Sequence, residues 1–225
     1  ASSGIGRAAA IEFAKTGAKV FASGRRVAEL ERINKELDSD NISVEVFPCN
    51  VASSTNVDQT VKKILANSKI DCLVNNAGIT SFKLAEDNSI NEINDIINTN
   101  LLGSIYAIKA VLPQMISNRS GTIINILSVV TKKTFTKSSV YAASKMGLLG
   151  YTNSLREEVR KHNIKVINVM PGATATAMWS KDMRSEFSER MMTSEDIARV
   201  LVWAFLQKEN LVTEELLLRP IEGDL

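Results

Sequence analysis

Short runs rich in β-formers alternate with longer stretches of helical periodicity along the whole chain, and this alternation restricts the fold more than any other feature. The β-rich runs are residues 19–23, 43–47, 72–75, 122–127, 165–170 and 214–218; helical patterns fall at 5–15, 27–37, 57–66, 90–116, 139–161 and 194–205. Strands that alternate with helices return to the same sheet edge by crossovers, so they pair in parallel. Ile123-Ile124-Asn125-Ile126-Leu127 is nearly continuous rather than alternating, as expected of a strand covered on both faces. The last helix carries Ile197, Val200, Leu201, Ala204 and Phe205 on one face behind Ser194, its expected cap. The expected architecture is α/β, a doubly wound parallel sheet in a single domain spanning 1–225. The stretch from Thr174 to Thr193 lacks periodicity and is expected as a poorly ordered insertion after Pro171-Gly172. In open parallel sheets ligands bind at that carboxyl edge.

With 225 residues, 44% of them hydrophobic and 23% charged, the chain is long enough for one sizeable core. Its 27 basic and 25 acidic residues are interspersed, for a net charge of +2, so no electrostatic footprint for nucleic acid exists. No apolar run approaches the roughly 18 residues of a membrane span, and no membrane partner is expected. Cys49 and Cys72 each lie in or beside an apolar stretch, which suits buried thiols in a reducing compartment and predicts a cytoplasmic setting. No metal site is expected.

Tyr141 and Lys145 stand four residues apart in Tyr141-Ala142-Ala143-Ser144-Lys145, one helical turn, so the phenol and the ammonium share a face. A phenol is a poor proton carrier at neutral pH, but a positive charge roughly 5 Å away at an effective dielectric near 20 favours phenolate by about 3 kcal/mol. That predicts a phenol pKa lowered by about two units. Ser128, thirteen residues upstream at a strand end, is placed to hold a substrate oxygen beside the pair. The trio predicts carbonyl chemistry on a small molecule.

The chain opens Ser2-Ser3-Gly4-Ile5-Gly6 and runs straight into a helix, whose N-terminal N–H groups suit a pyrophosphate. Read alone, such a glycine-rich start serves as a turn as readily as a phosphate site. The first β-rich run ends in Gly24-Arg25-Arg26. An acidic residue there would hold a ribose 2′-hydroxyl, whereas a small residue followed by arginine accommodates a 2′-phosphate. Arg25 and Arg26 therefore predict NADP(H).

With Asn75-Asn76-Ala77-Gly78 added, the chain resembles the short-chain dehydrogenase/reductase family nearly end to end. The resemblance implies a Rossmann-like fold. It implies that Gly4 and Gly6 belong to a cofactor loop that includes Ser3 and Ile5, and that Asn76, Ala77 and Gly78 form a turn beside the adenosine. Asn50 and Val51 would flank the adenine, with Asn50 replacing the aspartate the family commonly carries there. Ser128, Tyr141, Lys145 and Asn100 match the catalytic residues, Asn100 bending its helix and holding a water in a proton relay. Tyr141 and Lys145 would also touch the cofactor, and Pro171, Gly172, Thr174 and Thr176 would line the nicotinamide. The family strand that precedes the glycines is missing from the sequence, which implies roughly ten more N-terminal residues, enough for one strand. Ala177-Met178-Trp179 and Met191–Ala198 look most like the NADP-dependent branch that includes bacterial sepiapterin reductases. The implied activity is an NADPH-dependent carbonyl reductase, its substrate sepiapterin or a related small dicarbonyl. A 3-oxoacyl thioester reductase and a non-catalytic NADP sensor are the alternatives, and a homodimer or homotetramer is implied by the resemblance alone.

Other residues have plainer readings. His162, among Arg160, Lys161 and Asn163, reads as a solvated helix end. Met178, Trp179, Met191 and Met192 suit an adaptable apolar lid over 174–193. Ser144 touches cofactor or packs, and the sequence leaves both open.

Overall fold

The computed structural model describes residues 1–37, 42–208 and 210–225, and these gather into two compact units. The first comprises Ala1–Asn50, Ala173–Gln207 and Arg219–Leu225; the second comprises Val51–Gly172 and Lys208–Leu218.

In the first unit α1 (Gly4–Lys15), β1 (Val20–Gly24), α2 (Val27–Leu37) and β2 (Val44–Pro48) follow in turn, with β1 and β2 parallel and Val20 opposite Val44. The spacing of Leu30, Ile33 and Leu37 puts all three on one face of α2, where they are buried with Ala10, Ala14, Ala22 and Val44. Each such branched side chain contributes about 1.5–3 kcal/mol by leaving water. Later in the chain come α7 (Lys181–Phe187) and α8 (Ser194–Phe205), and Phe13 of α1 meets Phe205 of α8 edge to face at 5.6 Å.

Two expectations for this unit are corrected. The cap of α8 is Thr193 rather than Ser194: Thr193 keeps extended backbone, its hydroxyl accepts from Asp196 N–H at 3.0 Å, and the Asp196 carboxylate accepts from Thr193 N–H at 2.9 Å. The 174–193 stretch is folded, not a loose insertion. Thr174 bridges Met192, Ala175 N–H donates to the Met192 carbonyl at 2.9 Å, and the Ser180 hydroxyl accepts from Met183 N–H to cap α7. Seven residues are too few for α7 to display a 3.6-residue period.

The second unit holds α3 (Ser54–Leu65), β3 (Cys72–Asn75), α4 (Ile90–Ile97), α5 (Gly103–Asn118), β4 (Gly121–Ile126), α6 (Ser139–Val159), β5 (Ile164–Pro171) and β6 (Glu215–Leu218). Its four strands pair in parallel in the order β3-β4-β5-β6. All six residues of β4 are buried, the outcome expected of its nearly continuous apolar run. The expected helix over 90–116 is instead α4 and α5 joined by a π-helical segment, Asn98–Leu102. The six strands thus form a two-stranded and a four-stranded parallel sheet, each flanked by helices, and among the described residues β1 pairs only with β2 and β3 only with β4. Cys49 and Cys72 are both free thiols. Among the described residues no helix is long and apolar enough to cross a membrane, and no cluster of His, Cys, Asp or Glu could hold a metal ion.

Candidate active site

Three neighbouring parallel strands of the second unit open at the same edge. β3 ends at Asn75 and continues into Asn76-Ala77-Gly78, β4 runs into Ser128, and β5 ends at Pro171. Leu127 N–H donates to the Val169 carbonyl at 2.7 Å, so the sheet holds the chain up to the residue before Ser128. Ser128 is buried and starts a single 3₁₀ turn, accepting at its hydroxyl from Val130 N–H. Helix α6 brings Tyr141, Ser144 and Lys145 to one buried face.

These groups meet. The Ser128 hydroxyl stands near enough to the Tyr141 phenol to favour its ionised form, and the Lys145 ammonium lies 5.8 Å from the centre of the tyrosine ring. Lys145 Nζ donates to the Ile126 carbonyl at 2.6 Å. The electrostatics differ from the sequence expectation. Burial pushes the Tyr141 phenol up to about 12, and the neighbouring Ser128 hydroxyl pulls it only partly back. Burial also lowers Lys145 to about 8. The expected drop of the phenol assumed an ammonium aimed at it; here the ammonium is engaged by a backbone carbonyl, and loss of hydration outweighs what charge remains nearby.

Asn100 sits in the π-helical segment and is fully buried. Its carboxamide clamps the chain just past the Asn75–Gly78 turn, accepting from Ile79 N–H at 2.8 Å and donating to the Ile79 carbonyl at 2.9 Å. It also donates to Ser144 Oγ at 3.0 Å, and Ser144 in turn donates to the Tyr141 carbonyl at 2.7 Å. Both amide hydrogens are thereby used, so the side chain ties turn to helix. Ser144, undecided from sequence, belongs to this clamp. A β-carbon at Gly78 would stand 3.6 Å from both Lys145 Nζ and Asn100 Oδ1, which puts the turn against α6. Pro171 pairs with Leu218, and Gly172 N–H donates to the Leu218 carbonyl at 2.7 Å. Val51 packs where a β-carbon on Gly103 would go.

The first unit carries the remaining residues. Gly4 has φ +54°, and a β-carbon there would meet the Thr176 methyl at 3.1 Å, so the position is closed to other residues twice over. Ser3 caps α1 with extended backbone but makes no side-chain cap, and no acidic residue stands in the first turn; the N–H groups of Ile5 and Gly6 face the helix start. Arg26 donates to Ser2 Oγ at 3.0 Å and Ser3 Oγ at 2.9 Å, bracing that loop, whereas exposed Arg25 makes no hydrogen bond to a described residue. The two arginines read as a pair in sequence are thus in different situations. A bare helix start, a glycine cradle and adjacent cations fit the phosphates of a dinucleotide. Thr174 is buried in the bridge to Met192, Thr176 accepts from Met178 N–H, and Asn50 is exposed.

Sequence reading missed the Ile126 carbonyl, which no side-chain pattern can reveal. It also passed over Asn125 and Asn168, although a lone amide amid the isoleucines of a buried strand was visible. The cavity of about 260 Å³ walled by Arg156, Arg160, Lys165 and Leu211 lies where β5 begins, remote from these groups along the strand.

Known proteins bear on this geometry. The short chain dehydrogenase family model matches residues 1–186. The sepiapterin reductase of Chlorobaculum tepidum is 36% identical across the whole of this chain and 95% of its own length. A metagenomic short-chain oxidoreductase solved in complex with NADP superposes with a TM-score of 0.85 at 30% identity, covering 97% of this chain and 93% of its own. An alcohol dehydrogenase from Thermococcus sibiricus, 24% identical, shares the fold with a TM-score of 0.89 over all of this chain and 95% of its own. The match over most of the chain, on a scaffold that joins Ser128, Tyr141 and Lys145, shows that this chain belongs to the short-chain dehydrogenase family of oxidoreductases.

Proposed function

We propose that the protein is an NADPH-dependent carbonyl reductase acting on a small ketone of the sepiapterin or related dicarbonyl class. The observation that carries this is the buried contact of the Ser128 hydroxyl with the Tyr141 phenol, with Lys145 one turn away. When bound, NADPH supplies the hydride that makes the carbonyl carbon tetrahedral. Tyr141 gives its phenolic proton to the carbonyl oxygen, and Ser128 donates a hydrogen bond to the same oxygen as its charge grows. Lys145 steadies the phenolate left behind and offers donors to a ribose. A high phenol pKa suits this direction, since Tyr141 stands protonated and ready to donate at neutral pH. Asn100 keeps turn and helix at fixed separation.

The cofactor residues divide by chemistry. Ser3, Gly4, Ile5 and Gly6 would hold the pyrophosphate, Arg25 a 2′-phosphate with Arg26 bracing the loop, and Asn50 and Val51 the adenine. Asn76 to Gly78 would support the adenosine side, and Pro171, Gly172, Thr174 and Thr176 the nicotinamide. The NADP complex of the metagenomic relative and the name of the Chlorobaculum relative support the cofactor and substrate class respectively. The whole chain acts as one NADP-binding domain within a homo-oligomer.

Reduced-nicotinamide absorbance, followed across pterin, acyl thioester, sugar and small diketone carbonyls, tests the reading. Turnover is expected with a dicarbonyl, and Tyr141→Phe should lower kcat by about 10² to 10⁴. Turnover by Tyr141→Phe at the wild-type rate would falsify the assignment of roles.

A further inference from the structure

Four asparagines form one unbroken chain of hydrogen bonds through the second unit. Asn75, Asn125 and Asn168 are direct partners across β3, β4 and β5, so their side chains leave the sheet on one face. Asn75 Nδ2 donates to Asn125 Oδ1 at 2.9 Å, and Asn125 Nδ2 donates to Asn168 Oδ1 at 3.3 Å. Asn168 Nδ2 donates to Asn153 Oδ1 on α6 at 3.3 Å, where Arg156 Nη1 also donates at 3.3 Å. Asn125 and Asn168 are fully buried. Their strand neighbours Ile123, Ile124, Ile126, Val166, Ile167 and Val169 are all apolar.

An apolar residue would fill these positions without the desolvation cost of an amide. What the amides add is direction, because each bond has a fixed length and sets the height of one element against the next. The four elements so joined are the ones that deliver the site. β3 opens into Asn76–Gly78, β4 into Ser128, β5 ends in Pro171, and α6 bears Tyr141 and Lys145. Asn125 lies three residues before Ser128, and Asn153 two helical turns beyond Lys145.

We infer that Asn75, Asn125, Asn168 and Asn153 are a positioning chain for the reaction, holding the Ser128 strand and the Tyr141 helix at the relative height that lets the two hydroxyls meet. None of the four touches the reacting atoms, so they are positioning residues. The inference rests on the proposed reductase activity and names how that site is held in register.

The test compares Asn125→Leu, Asn168→Leu and Asn153→Ala with Thr152→Val, a buried polar residue of α6 outside the chain whose hydroxyl, among the described residues, bonds only Leu148 and Leu149 carbonyls. Melting temperature, kcat and KM for the ketone are measured for each. The chain variants should lose about tenfold or more in kcat, as small misplacements of reacting groups do, with KM within about threefold. Melting temperature should fall by a few degrees in Asn125→Leu and Asn168→Leu, which leave buried amide partners unsatisfied, and hold in exposed Asn153→Ala, while Thr152→Val should change none of the kinetic readouts. If the buried variants fail to fold, exposed Asn153→Ala carries the same comparison alone. Wild-type kcat in the chain variants, a rise in KM that matches the fall in kcat, or equal losses in Thr152→Val, overturn the inference while leaving the reductase reading intact. Absence of wild-type turnover on every carbonyl rejects the reductase reading itself.

Discussion

Tyr141 shows how a residue's chemistry depends on what surrounds it. Spacing alone places an ammonium within reach of the phenol and predicts a lowered pKa, yet in the fold burial raises the phenol to about 12 and Lys145 drops to about 8. Desolvation acts on both groups, and each answers by favouring its neutral form. The arginines divide in the same way. Arg26 is committed to Ser2 and Ser3, whereas exposed Arg25 makes no hydrogen bond to a described residue. Arg25→Ala should therefore raise KM for NADPH roughly tenfold or more, the size of a lost charge-assisted hydrogen bond, with NADH little affected. Arg26→Ala should raise KM for both cofactors, because the loop it braces serves the pyrophosphate common to them. Steady-state kinetics with the two cofactors decides the matter, and a matched response of both variants would contradict the division.

Among the elements, the stretch from Ile90 to Asn118 departs furthest from its sequence pattern. Apolar residues recur there at helical spacing, so one long helix is the natural expectation, but a π-helical segment interrupts it at Asn98–Leu102. The interruption turns Asn100 inward, where its amide joins the Ile79 backbone to Ser144. Asn100→Ala would leave those partners unsatisfied at about 1–3 kcal/mol. For a chain of this length each kcal/mol lowers Tm by about 2–4 °C, so melting should fall by several degrees and kcat should fall with it. An unchanged melting curve would show that the clamp contributes nothing. α8 and α7 show subtler departures, since a cap belongs to whichever residue keeps extended backbone and a two-turn helix is too short to declare itself.

For the molecule as a whole, the same two buried groups set how stability follows pH. Lys145 has a folded value of about 8 against an ordinary 10.5, so between those pH values the unfolded chain binds more protons and stability rises with pH. Tyr141 has a folded value of about 12 against an ordinary 10.0, so from there upward the folded chain binds more protons and stability falls. Denaturant titrations from pH 7 to 11 should show the rise flattened in Lys145→Met, with that variant more stable than wild type at pH 7. In Tyr141→Phe the fall above pH 10 should be reduced. A Lys145→Met protein less stable than wild type at pH 7 would show that the ammonium's bond to the Ile126 carbonyl outweighs its burial.

The strand positions, the parallel pairing and the shared helix face of Tyr141 and Lys145 were legible in the chain, because burial on two faces demands continuous apolar runs and a helical turn fixes which side chains share a face. The tertiary structure alone decided where the ammonium points, that Asn100 and Ser144 form a clamp, and that asparagines distant in sequence line up across β3, β4 and β5. Those outcomes depend on register between strands and on the water each group loses, and neither is encoded at any one position. Local periodicity reports which face is buried; only packing determines what each buried polar atom finds there.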